Sequence, residues 1–183
     1  MEEVSASTVA AMATTTGHHL LKLEGYRRLK SIHGNGKYFE SCQFEAAGHT
    51  WKLRCYPNGD SSENAGFFSL YLVYDGAAVY AEVELALVYH HRKFLPRLPP
   101  YSRMYTNNFG KGEYWWGFGK FIRTEAQRSF GFLKDDCLAV RCKITVVETS
   151  AVKNGFMKAQ DMEMLGMLCK CDDDLCKRHH LRF

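Results

Sequence analysis

Three features of this 183-residue sequence predict an all-β fold built as an antiparallel β-sandwich. Apolar and polar residues alternate over stretches of roughly six to ten residues, the period of a half-buried strand. Short links between the stretches carry Gly, Asn, Asp or Pro, the residues that tight turns need. Most stretches are polar on one face, which suits two antiparallel sheets sharing a core better than a parallel sheet covered by helices.

Residues 1–16 are rich in Ala, Ser and Thr, show neither period, and are expected to be disordered. The first strand is expected at His18–Glu24, followed from Gly25 by a loop containing Asn35-Gly36. Strands follow at Tyr38–Ala46 and Thr50–Tyr56. In the second of these, Trp51, Leu53 and Cys55 share one face and Lys52, Arg54 and Tyr56 the other. Pro57-Asn58-Gly59-Asp60 makes a tight turn. Phe67–Tyr74 and Val79–Tyr89 follow, joined across Asp75-Gly76, with Val79, Ala81, Val83, Leu85 and Leu87 pointing one way. Leu138–Val146 repeats that pattern, with Leu138, Val140, Cys142, Ile144 and Val146 inward. Between them, His90–Gly119 is expected to be irregular, because Pro96, Pro99 and Pro100 exclude helix and central strand. Phe121–Ser129 has the length of a short capping helix. From Gly155, residues Phe156, Met157, Met164, Leu165 and Leu168 fall at helical spacing, predicting an amphipathic helix. The chain thus divides into an N-terminal segment 1–16, a β-domain 17–149 and a tail 150–183.

Composition narrows the function. The sequence is 46% hydrophobic and 14% aromatic, with 10 Tyr and 12 Phe, more aromatic residues than a core of this size requires. Such a surplus favours a binding surface, since Tyr and Trp supply rigid contact area. A net charge of +4 without a long basic run gives no electrostatic case for nucleic acid. No apolar run is long enough to cross a bilayer as a helix. Acid residues at Glu2 and Glu3 argue against a secretory signal, so cytoplasm and/or nucleus is the expected location. Of the 7 Cys, Cys42, Cys55, Cys137 and Cys142 are expected as reduced core residues.

No catalytic constellation stands out, and an enzyme is not expected. His33 and His49 lie near predicted turns beside Cys42, and His90-His91 reads as an exposed loop pair. Nucleophile elbow, zinc-protease helix and phosphate-cradling Gly loop are all missing from the sequence, and no cofactor is called for. Lys134-Asp135-Asp136 reads as a tight turn in preference to a cation site, because two adjacent carboxylates fall short of the oxygens calcium takes. In the tail, Cys169, Cys171, Cys176, His179 and His180 are zinc-ligand types, but their spacing matches no standard finger. A small metal- or nucleic-acid-binding protein using that tail is the alternative reading of the sequence. Trp51, in an alternating strand, reads as core. Trp116 and Phe118 follow a Gly- and Pro-rich loop and can be read as core or as binding contacts. Tyr71 lies in a strand apolar on both faces, so pattern alone does not orient it.

Five blocks in order carry a resemblance. They are Gly25-Tyr26 with Gly34-Asn35-Gly36-Lys37-Tyr38 and Ser41; Trp51-Lys52-Leu53 with Tyr56-Pro57-Asn58-Gly59; Ser69-Leu70-Tyr71-Leu72; Trp116-Gly117-Phe118-Gly119-Lys120-Phe121-Ile122; and Phe132-Leu133-Lys134-Asp135-Asp136-Cys137-Leu138. Across about Gly17 to Val147 the chain resembles plant meprin-and-TRAF-homology (MATH) domains of the MATH-BTB substrate-adaptor family. That resemblance implies a TRAF/MATH-like sandwich of seven or eight strands. It also implies capture of extended, Ser/Thr-rich segments of target proteins in an aromatic groove, for a cullin-based ubiquitin ligase. By position the groove residues are Tyr71, Phe109, Trp116 and Phe118, with Val83 where some adaptors carry Phe, giving a shallower pocket. Asp161-Met162 and Leu165-Gly166 resemble the linker into a BTB domain, so the tail is expected to be a vestigial or truncated BTB start. Without that dimerising surface the expected state is a monomer. Its partners would be protein substrates and, through a shared system, full-length MATH-BTB relatives.

Overall fold

In the computed structural model, residues 6–89, 101–110, 114–154 and 164 are described. The strands are β1 (Ala6–Glu24), β2 (Phe39–Glu40), β3 (Phe44–Ala46), β4 (His49–Tyr56), β5 (Phe67–Tyr74), β6 (Val79–Leu87), β7 (Ser102–Phe109), β8 (Tyr114–Arg123), β9 (Leu133–Lys134) and β10 (Cys137–Asn154). Seven of these ten have eight residues or more. Helices α1 (Tyr26–Ile32) and α2 (Thr124–Ser129) are single short segments. One sheet runs β1-β10-β6-β7 with β9 on β10; the other runs β2-β4-β5-β8 with β3 on β4.

Residues 13–148 form one compact unit, and the core lies between its two sheets. Antiparallel register puts buried residues opposite buried residues: Leu85 faces Cys142, Val83 faces Ile144, and Leu53 faces Leu72, each fully buried. Burying a side chain of this size contributes about 1.5–3 kcal/mol, so alternation in the sequence is what fixes the register. Trp51 sits at 1% exposure with its ring 4.5 Å from Tyr74 and 5.2 Å from Phe109, and its Nε1–H donates to the Ala46 carbonyl at 2.9 Å. Residues 1–12 and 149–183 make a second unit, in which the described strand residues Val9 and Met12 are exposed.

The inward faces of β4, β6 and β10 are as the sequence predicts. Several other expectations are corrected. Residues from Ala6 to Thr16 are strand, not disordered: Thr and Val favour extended backbone, and none of the described side chains there is buried. Helix α1 occupies the expected loop. It turns only twice and buries only Tyr26, too little to show a period. Tyr38–Ala46 is broken into β2 and β3. The stretch expected to be irregular contains β7 and most of β8. The three prolines precede β7, whose inward residues include Arg103 and Asn107, so alternation is disguised. Cys55 and Cys142 are core, but Cys42 is exposed and Cys137 half-buried. Asp135 and Asp136 both take positive φ in the β9–β10 turn. The tail helix and the Cys/His cluster lie outside the described residues, apart from Met164.

Two loops are interlocked by Asn side chains. The Asn35 amide donates to the carbonyls of Asn58 at 2.8 Å and Ser61 at 2.7 Å. In return, the Asn58 amide donates to Lys30 and His33 carbonyls at the end of α1, at 2.8 and 2.7 Å. Helix carbonyls that lack an intrahelical partner are thereby satisfied. The Gly-Asn-Gly and Pro-Asn-Gly blocks are therefore scaffold.

Candidate functional site

β7 and β8 are the last strands of their respective sheets, and they meet through side chains in place of a backbone ladder. Tyr105 donates its O–H to the Trp116 carbonyl at 2.9 Å, and Arg103 Nη1 donates to that of Lys120 at 2.7 Å. Tyr101 donates to the Phe121 carbonyl. The Arg103 guanidinium lies over the Phe118 ring at 4.3 Å, and the Tyr105 and Phe118 rings pack edge to face at 5.5 Å. Carbonyls of β8 are thus already engaged. Among the described residues, no strand pairs with the other flank of β7. An unpaired edge of this kind is a template for an added strand.

Strand geometry separates the two adjacent Trp residues. Trp116 faces the same way as its partner Leu72, and Phe118 the same way as Leu70, toward the β7 seam. Trp115 faces the opposite way and packs edge to face on Tyr71 at 5.1 Å. Both Trp rings remain 47% exposed, unusual for side chains of that size. A register shift between Phe68 and Leu70 then lets Phe118 and Phe121 lie together, with ring centres 6.0 Å apart.

Behind β8, Tyr71 is 7% exposed and donates its O–H to Asp60 Oδ2, while Asn64 donates to Oδ1 at 2.6 Å. Burial, reinforced by the bond to Asp60, raises the Tyr71 hydroxyl above its ordinary value. For Asp60, burial works upward. Hydrogen bonds from Tyr71, Asn64 and Ser61 outweigh it and hold the carboxyl below the usual range. The alternating glycines of Trp-Gly-Phe-Gly make room for this network. A Cβ on Gly117 would stand 2.2 Å from the Leu70 carbonyl oxygen, and one on Gly119 would stand 2.4 Å from Asn64 Nδ2.

The sequence-predicted site residues therefore divide. Trp116 and Phe118 come together at the β7–β8 seam. Tyr71, on β5, points away from the seam and packs on Trp115 of β8. Val83 and Phe109 are corrected: both are fully buried, Val83 in the β6–β10 face and Phe109 against Trp51, so neither lines a surface groove. Alternation already placed Val83 inward, whereas the positional carry-over did not respect it. Missed were Tyr105, Arg103 and Trp115. Once Tyr114–Arg123 is known as a strand, a Trp-Trp pair must show one ring to each face. His33 and His49 serve packing, bonded through Nδ1 to the Leu29 carbonyl at 3.0 Å and the Tyr74 hydroxyl at 3.1 Å. An open hollow of about 490 Å³ beside Thr50, Lys52 and Val73 contains none of the predicted residues.

Comparison with known proteins now bears on this geometry. Residues 18–144 match the family model for the MATH domain. The chain is 31% identical over 158 residues to BTB/POZ and MATH domain-containing protein 6 of Arabidopsis thaliana, covering 79% of this chain and 36% of that protein. It is 30% identical over 156 residues to protein 4 of the same series and plant, covering 78% and 32%. The chain thus spans about a third of the length of these relatives. A solved TRAF5 structure from Notothenia coriiceps superposes with a TM-score of 0.51 at 17% identity, over 78% of this chain and 76% of the other, and so shares the fold. The chain belongs to the MATH domain family, a family of protein-interaction modules.

Proposed function

We propose that this domain captures extended, Ser/Thr-rich segments of target proteins along the open edge of β7, as a substrate-recognition part of a cullin-based ubiquitin ligase system. The observation that carries the reading is the exposed Trp116, held beside an edge strand while the carbonyls of β8 are occupied by Tyr101, Arg103 and Tyr105. An incoming strand gains main-chain hydrogen bonds from β7, and Trp116 with Phe118 supplies the apolar anchor. Tyr71, on the neighbouring strand β5, supports β8 from its other face by packing on Trp115. The ligase context rests on the BTB/POZ domains named in the Arabidopsis relatives. The chain would compete with such relatives for substrate, or act beside them.

The test is fluorescence polarisation of the purified chain against a library of Ser/Thr-rich peptides. Trp116→Ala should weaken the selected peptides by at least about tenfold, as loss of a central aromatic anchor does. Its thermal melt should stay near wild type, because the ring is half exposed. A folded wild-type chain that selects no peptide, or selection untouched by Trp116→Ala, would overturn the reading.

A further inference from the structure

Where α1 and α2 approach each other, away from the β7–β8 seam, lies a cleft of about 390 Å³, within the range of ligand sites. Three cations line it, Arg27, Lys30 and Arg128, against one carboxylate, Glu125. Arg27 pairs with Asp136 at 3.2 Å, whereas Lys30 and Arg128 have no carboxylate partner among the described residues. Holding these two cations near each other is unfavourable: burial first, and then the Arg128 charge, lowers the Lys30 pKa.

A second observation is independent of charge. Tyr26 and Gln127 also line the cleft, each at 1% exposure. They are neighbours: the Gln127 side chain lies near enough to the Tyr26 hydroxyl to offset part of the upward shift that burial gives it. Yet neither the Tyr26 hydroxyl nor the Gln127 Nε2 has a close, well-aligned hydrogen-bond partner among the described residues. Buried polar groups are nearly always paired, so two unspent ones together need an explanation. The chemistry of the unspent groups agrees: ammonium, guanidinium, amide N–H and phenolic O–H all donate. Their complement is a ligand that only accepts. A phosphomonoester carries three acceptor oxygens and close to two negative charges at neutral pH, and Lys and Arg are its usual partners.

We infer that the α1–α2 cleft is an anion site for a phosphate group, placed by Lys30 and Arg128 at the mouth and by Tyr26 and Gln127 within. The site shares no residue with the peptide edge, so a target protein could hold the domain at both, or free phosphate could occupy the cleft alone. The experiment is a titration of the ¹⁵N-labelled chain, followed by amide chemical shifts, with three probes: sodium phosphate, a phosphoserine peptide and its unphosphorylated twin. Phosphate and phosphopeptide should give saturable shifts confined to residues 26–30 and 124–129, with the twin silent. Lys30→Gln and Arg128→Gln should each weaken binding about tenfold. Neither side chain is core, so circular-dichroism melts should match wild type. Phosphopeptide binding tighter than phosphate identifies a protein-borne group, and equal binding identifies a free anion. Both outcomes support the site. Failure to saturate, shifts elsewhere, or undiminished binding in both variants would overturn it.

Discussion

At the scale of single residues, two titratable groups each withdraw stability as pH falls, over different ranges. The His19 ring stacks flat on Phe44 at 3.8 Å, with a buried Nε2 that has no partner. Burial lowers its pKa from the ordinary 6.5. The unfolded chain therefore binds the proton first as pH falls, so His19 costs nothing well above 6.5 and destabilises the fold increasingly below it. His19→Phe should flatten that acid decline in urea midpoints measured at neutral and mildly acidic pH. Asp60 acts in the same sense but at lower pH, a carboxyl held below its ordinary value of 3.8. Its contribution is present above that value and is lost as pH falls through the folded one. Tyr71→Phe removes the O–H donated to this carboxylate and should cost about 1–3 kcal/mol at neutral pH, shrinking in acid. An equal cost at all pH would show that the loss does not come from the bond to the ionised Asp60 carboxylate.

At the scale of elements, β8 shows how much was legible in the sequence and why the rest was hidden. Long strands with one apolar face were readable, because alternation and burial are the same fact seen twice. Strands β7 and β8 were not. Arg103 and Asn107 point inward on β7, and the glycines on β8 resemble loop residues although they serve a close approach between strands. The candidate site inherited that blindness. Trp116 and Phe118 were found through resemblance, but their partners Tyr105 and Arg103 emerge only when two strands distant in sequence meet. Gly117→Ala tests the point. Its Cβ meets backbone, which cannot swing aside, and about 1–3 kcal/mol should be lost. Gly119→Ala meets the end of the Asn64 side chain and should cost less. Chemical denaturation of the two variants gives the order, and a larger loss at Gly119 would contradict the assignment.

At the scale of the molecule, the fold depends on one layer of side chains shared by both sheets. Trp51 of one sheet touches Phe109 of the other, and Phe109 in turn packs on Tyr74 and Tyr114. Trp51→Ala should cost about 3–5 kcal/mol, a large part of the roughly 5–15 kcal/mol that holds a domain together. Urea unfolding followed by circular dichroism measures it. A loss below 1 kcal/mol would mean that the two sheets do not depend on this contact. By contrast, Trp116→Ala should leave that curve in place, since the core and the proposed binding edge draw on different rings.

The reciprocal clasp of Asn35 and Asn58 has a consequence for inheritance. Each amide holds the other's loop, so losing either releases the end of α1 and the β4–β5 turn together. The double replacement should then cost little more than the worse of the two single ones. Selection would meet the pair as one character, and in sequences descended from this one the two positions should change together or not at all.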